Sequence, residues 1–232
     1  RREASGRPGH QLLTAMRTRI APSMLAADFL HLEQSVDIVN RHADLFHLDI
    51  MDGVLVPNIS FGFPVVEAIA GMAKKPLDAH LMIVHPERYV ERCAECGIRM
   101  LSFHYEAARD PEPILGLIRS YKMKAGLAFN PDIPVEKIAP YLGECDFVLL
   151  MTVFAGFGGQ KFIEESYDRL RQLKSIIDEK GYRCRIEVDG GVSPANAAKL
   201  VECGADTLVA GSAVFKAEDP GEVIRSMRVN LQ

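Results

Sequence analysis

The sequence predicts an α/β fold, a single (β/α)8 TIM barrel, and three observations carry that expectation. Eight short apolar segments alternate with stretches of helical periodicity, the pattern of a parallel sheet covered by helices. The chain has 232 residues, 48% of them hydrophobic, enough to bury one large core, and barrels of this length commonly form one domain. His, Asp and Gly residues gather at the C-terminal ends of the apolar segments, the face on which such barrels carry their chemistry.

Along the chain the predicted strands are RIAPSML (19–25), LFHLDIM (45–51), PLDAHLM (76–82), MLSFHYE (100–106), MKAGLAF (123–129), DFVLLMTV (146–153), RIEVDG (185–190) and DTLVAGS (206–212). Each is followed by a turn and a helical stretch, as a parallel neighbour requires. Helix evidence is strongest where apolar residues recur at three and four positions, in Leu32, Val36 and Val39 and in Tyr167, Leu170, Leu173 and Ile177. Ser193-Pro194 and Asp219-Pro220 each place a capping residue before a proline at the first helical position. The alternative architecture is an open doubly wound sheet, but no GxGxxG follows a strand to favour it. The barrel domain is expected over residues 16–232. Residues 1–15 lack periodicity and are expected to form a disordered extension.

A net charge of −4 and a pI near 6.0 supply no basic field for nucleic acid or an anionic membrane. No apolar run approaches the roughly 18 residues of a membrane span. Five cysteines, an odd count without framework spacing, suit reduced thiols in the cytoplasm. Cys93 and Cys96 form a CxxC within a predicted helix, with no second pair to complete a zinc site, so packing is the simpler role.

In LFHLDIMDG the two-residue period of a strand puts His47 and Asp49 on one face. His80 and Asp189 stand toward the ends of two further strands. Singly, a strand-end His is often a satisfied polar group, and an Asp before Gly is often a turn residue. Four together on one barrel face point instead to a divalent-metal site, and two imidazoles with two carboxylates suit zinc, iron, manganese or cobalt.

Gly156-Phe157-Gly158-Gly159 follows the sixth strand, Gly190-Gly191 the seventh and Gly211-Ser212 the eighth, just before the short stretch 213–216. One glycine cluster usually marks a turn. Three on neighbouring strand ends point to an anion site, because backbone N–H groups can approach an oxyanion where no Cβ intervenes and barrels bind phosphate there. Lys161 and Lys216 are nearby but are more simply solvated surface lysines. A metal on one side and a phosphate on the other would hold a small sugar phosphate across the barrel mouth.

The segments APSMLAADF, HLDIMDGVLVPN, LDAHLM, AGFGGQ, IEVDGG and VAGSAVF, in this order from about Arg19 onward, resemble the ribulose-phosphate 3-epimerase family. The resemblance implies a barrel of the ribulose-phosphate-binding type. It further implies an enzyme of the pentose phosphate pathway that interconverts D-ribulose 5-phosphate and D-xylulose 5-phosphate through an enediolate. His47, Asp49, His80 and Asp189 would bind one divalent metal ion, with Asp49 and Asp189 as the two acid/base groups. Ser23 and His80 would contact substrate. Gly156, Phe157, Gly158, Gly159, Gly190, Gly191, Gly211 and Ser212 would hold its phosphate and sugar, and Met51, Met82 and Met151 would line the pocket, where composition alone suggests barrel filler. The resemblance also implies a homo-oligomer, a dimer or hexamer. Ala155 stands where the family commonly has Pro and Leu55 where it commonly has an aromatic residue, departures that bear on closure over the substrate. D-allulose 6-phosphate is the alternative substrate, although Gly158 and Gly191 favour the pentose. A metal-dependent aldolase or synthase would need further chemistry, such as a strand-end Schiff-base Lys, and none is seen. A non-catalytic sugar-phosphate sensor would not need the two carboxylates.

Overall fold

The computed structural model describes residues 17–229. Eight parallel strands follow one another around a barrel: β1 (Arg19–Pro22), β2 (Phe46–Met51), β3 (Leu77–Met82), β4 (Met100–His104), β5 (Lys124–Phe129), β6 (Phe147–Met151), β7 (Arg185–Asp189) and β8 (Thr207–Ala210). β1 pairs with β8, and a parallel bridge between Ser23 and His47 brings β1 back to β2. The helices α1 (Leu32–His42), α2 (Phe63–Met72), α3 (Val90–Glu95), α4 (Pro111–Ser120), α5 (Val135–Ile138), α6 (Ser166–Lys180), α7 (Ala197–Glu202), α8 (Ser212–Phe215) and α9 (Pro220–Met227) cover it. Every predicted strand segment contains one of the eight.

Alternation along the strands divides the core in two. Leu48, Ile50, Leu81, Phe103, Leu127, Val148, Leu150 and Val188 face outward and join Val36, Val39, Leu170, Leu173 and Ile177 of α1 and α6 in the large cluster between sheet and helices. The intervening residues face the barrel axis. Ala21, Leu45, Met100, Phe147 and Val209 form a separate cluster that runs from Met100 and Phe147, the first residues of β4 and β6, up to Val209 at the base of the mouth cavity. Polar residues at the mouth therefore stand on an apolar floor.

That floor depends on one glycine. Gly126 pairs with Phe147, and a Cβ at Gly126 would lie 2.3 Å from the Phe147 ring. Gly126→Ala is expected to destabilise the protein by about 1–3 kcal/mol through overpacking, lowering the melting temperature by several degrees. An unchanged thermal midpoint would show that the ring has room to move.

The caps explain two helix starts differently. The Asp219 side chain accepts the Glu222 N–H, so α9 begins at Pro220 as the sequence suggests. The expectation that Ser193-Pro194 opens a helix is corrected: α7 begins at Ala197. Ser193 Oγ accepts the Ala195 N–H and the Ser193 N–H goes to Asn196 Oδ1, local bonds that hold a turn in place of the first helical turn. Cys93 lies in α3 and Cys96 just after it. All five cysteines are free and buried, and the expected packing role of the CxxC pair is seen in the outer core. No helix among the described residues is long and apolar enough to cross a membrane. The expected extension at residues 1–15 lies outside the described residues.

Candidate active site

Strand register assembles the polar cluster. β2 and β3 pair so that His47 lies beside Asp78 and Asp49 beside His80, while β7 brings Asp189 level with Met151 of β6. His47 Nε2 lies 3.1 Å from Asp49 Oδ1 and 3.3 Å from Asp189 Oδ2. His80 Nδ1 lies 2.9 Å and 3.6 Å from the same two oxygens. One ligand atom from each of the four residues falls within 4.8 Å of the others, so they could hold a single ion.

The outer ring nitrogens are also engaged, and this decides which nitrogen can serve as a ligand. His47 Nδ1 lies 2.8 Å from Asp78 Oδ2 and 3.1 Å from Glu187 Oε1, all three side chains being fully or almost fully buried. Asp78, held ionised by His47 despite its burial, can only accept, so Nδ1 carries a proton and Nε2 is the nitrogen that would give its lone pair to an ion. His80 turns the opposite edge inward, and its Nε2 lies 2.7 Å from His104 Nε2.

Burial opposes charge on His47, Asp49, His80 and Glu187, and the interactions among neighbouring groups decide the outcome. Burial lowers the affinity of His47 for a proton, yet Asp49 and Asp78 hold it well above the ordinary imidazole range. His80 is raised in the same way against its burial, by hydrogen bonds to Asp189 and Asp49. Asp49 is held far below the ordinary carboxylate range despite burial, chiefly by the charge of His47. Burial and the Asp78 carboxylate push Glu187 far upward, so one of those two acids keeps its proton. Four groups thus compete for few protons in a dry site, a setting that a divalent cation would suit.

Above the cluster opens a cavity of about 720 Å³ lined by Asp49, Asp189, Ser23, Met51, Met82 and Met151, together with all the predicted glycines, Phe157 and Ser212. Ser23 Oγ donates to Asp49 Oδ2. Thr152 donates its N–H to the Asp189 carbonyl at 2.9 Å, and its hydroxyl is shared between that carbonyl and the carbonyl of Gly190, fixing the end of β7. Gly190 and Gly191 have φ of +125° and +65°, and a Cβ would approach the Val153 and Phe162 backbones to 2.8 and 2.7 Å, so neither position admits a larger residue. Both glycines line the cavity, as do Gly211 and Ser212 at the start of the short α8, whose first N–H groups lack intrahelical acceptors.

Every predicted site residue therefore falls at the C-terminal mouth, with one qualification. His47 and His80 have no exposed surface and do not line the cavity; they sit behind the two carboxylates. Lys216 lines the cavity and Lys161 does not. Sequence reasoning missed Asp78 and Glu187 as partners of His47 and His104 as a partner of His80. The period-two spacing of Asp78 from His80 and of Glu187 from Asp189 was the available signal, because each places the acid on the same interior face as the ligand above it.

The comparisons with known proteins agree with this geometry. A model of the ribulose-phosphate 3 epimerase family matches residues 19–215. The chain is 44% identical to a ribulose-phosphate 3-epimerase of Synechocystis sp. over 90% of its own length and 92% of the relative's. It is 43% identical to that of Bacillus subtilis, covering 90% and 98%, and 39% identical to a cytoplasmic isoform of Oryza sativa, covering 95% and 97%. Among solved structures, a mutant tryptophan synthase alpha-subunit of Pyrococcus furiosus superposes with a TM-score of 0.68 at 16% identity, over 91% of this chain and 97% of that one, a likeness of fold.

Proposed function

The chain belongs to the ribulose-phosphate 3-epimerase family, and from that premise we propose that it interconverts D-ribulose 5-phosphate and D-xylulose 5-phosphate, with Asp49 and Asp189 as the two proton-transfer groups. The observation that carries this reading is the pair of carboxylates on β2 and β7, both lining one cavity and both touching the same two imidazoles. Inverting a carbon beside a ketone requires removing its proton from one face and returning one to the other, by way of an enediolate. Two carboxylates reached from different strands meet that need, and each is expected to contribute about 10²- to 10⁴-fold as a general acid or base.

His47 Nε2, His80 Nδ1, Asp49 and Asp189 would hold one divalent ion, zinc, iron, manganese or cobalt. When bound, such an ion supplies a Lewis acid that stabilises negative charge on the oxygens of the reacting carbons. Ser23 orients Asp49, Thr152 fixes the strand end that carries Asp189, and Met51, Met82 and Met151 exclude water from the sugar. The glycines after β6, β7 and β8 offer backbone donors to the phosphate.

A coupled assay on ribulose 5-phosphate, with and without chelator, tests the reading, and parallel turnover of D-allulose 6-phosphate separates the pentose from the hexulose. Chelator-sensitive formation of xylulose 5-phosphate is the expected result. No turnover of either sugar phosphate would reject it. Gly158→Val should raise KM by roughly tenfold or more with little loss of thermal stability. A Cβ there meets only Leu25 Cδ2, at 3.8 Å, so the added bulk extends toward the phosphate instead of into the fold. A wild-type enzyme that handled ribulose as well as its phosphate would overturn the phosphate site.

Five buried free thiols support a reducing, cytoplasmic setting. Phe29, Leu30, Val54 and Ile59, all in the loops after β1 and β2, are exposed, Leu30 to 90%, which supports a homo-oligomer. A light-scattering mass tests that reading.

A further inference from the structure

Glu106, two residues beyond the end of β4, lies outside the cavity lining yet touches both halves of the site. Its two oxygens serve different partners. Oε2 lies 2.9 Å from His104 Nδ1, and the far nitrogen of that ring is the one that meets His80. Oε1 accepts the Asn130 backbone N–H at 2.8 Å. Asn130 Oδ1 in turn accepts the N–H of Ala155 at 2.8 Å, immediately before Gly156 and the rest of the phosphate-facing loop. Arg169 holds Asn130 from behind, donating to its carbonyl at 3.2 Å while the guanidinium lies 5.0 Å from the Phe129 ring centre.

Proton counting along the first branch leaves one arrangement. Burial opposes ionisation of Glu106, but bonds from His104 and Asn130 outweigh it and keep the carboxylate charged. It can only accept, so His104 Nδ1 bears a proton. The His104 ring is fully buried, with Glu106 at Nδ1 and His80 at Nε2. For His80 Nδ1 to give a lone pair to an ion, the proton of the neutral ring must sit on Nε2, and across the 2.7 Å contact that nitrogen then donates to His104 Nε2. His104 can accept there only with its own proton on Nδ1, where Glu106 accepts it, and His80 Nδ1 is left facing Asp49 and Asp189.

The second branch depends on Ala155. A proline at this position would have no N–H to give Asn130, so a residue with a backbone N–H is what lets the loop be tied by this hydrogen bond.

We propose that Glu106 is a positioning residue for both halves of the site: through His104 it sets the His80 tautomer that frees Nδ1 for the metal, and through Asn130 it holds the 155–159 loop over the substrate phosphate. The proposal rests on the metal-dependent epimerase reading above. Its test begins with wild-type protein, since failure to bind cobalt or to turn over ribulose 5-phosphate would end that reading before any variant is compared.

Three variants then separate the branches, with cobalt affinity from chelator competition as a readout independent of turnover, and with inhibition by inorganic phosphate and KM at saturating cobalt as the others. His104→Leu should weaken cobalt binding about 10- to 100-fold, the usual effect of losing a ligand's hydrogen-bond partner, and leave KM at saturating cobalt within about twofold. Asn130→Ala should raise KM and the phosphate inhibition constant about tenfold and leave cobalt affinity within about twofold. Glu106→Gln should do both, because a carboxamide has one accepting oxygen for two donors. Adding Asn130→Ala to Glu106→Gln should raise KM no further than the larger single effect, the non-additivity of residues on one path. Wild-type cobalt affinity or wild-type KM in Glu106→Gln overturns the proposal. So does movement of both readouts together in His104→Leu and Asn130→Ala, the signature of general loosening. Those two variants decide the matter even if Glu106→Gln does not fold.

Discussion

Asp49→Asn and Asp189→Asn are each expected to lower net epimerisation by roughly 10²-fold or more while leaving half of the chemistry intact. With one carboxylate gone, the other can still remove and return a proton on its own face. A metal-loaded variant should therefore exchange the C3 hydrogen of one epimer with deuterated water and leave the other epimer unlabelled. The two variants should prefer opposite epimers. Because both residues also belong to the proposed ligand set, metal content is verified before rates are compared. Near wild-type interconversion by either loaded variant would assign the proton transfer to another residue.

The second large effect concerns His80. His80→Ala removes one of the four converging donor atoms, and metal affinity and turnover should fall together, by at least the roughly 100-fold that loss of an outer partner can cost. The ring has no exposed surface, so the substitution also empties space inside the barrel. The outward-facing cluster that joins sheet to helices does not include it, and circular dichroism should still show a folded barrel. Full metal occupancy with a normal rate would remove His80 from the ligand set. A variant that lost its fold along with its metal would show that the cluster is part of the protein's stability as well.

The contrast between His80 and Glu106 shows how far the sequence was legible. His47, Asp49, His80 and Asp189 could be named because a strand's two-residue period fixes which side chains share its inner face. The same period applied to Asp78 and Glu187, but without chemistry of their own to recommend them they looked like ordinary strand residues. The predicted strand includes Glu106, but β4 ends at His104 and Asn130 lies just past β5, so the two-residue period does not say what either one meets. Ser193-Pro194 misled for a related reason: a serine that could cap a helix bonds instead within a local turn.

The sequence by itself determined that this chain forms eight alternating strand and helix units, which residues face the barrel axis, and that glycines gather after β6, β7 and β8. These are local properties, set by side-chain period and by the space a missing Cβ leaves. Tertiary structure alone decided which side chains meet. Ser23 reaches Asp49 across 26 positions, His80 reaches His104 across 24, Glu106 reaches Asn130 across 24 and Asn130 reaches Ala155 across 25. Each contact joins neighbouring strands or the loops after them, at a height set by the stagger of the closed barrel. A one-strand pattern contains no information about that stagger, so the ring nitrogen that each partner occupies became visible only when the strands were brought into register.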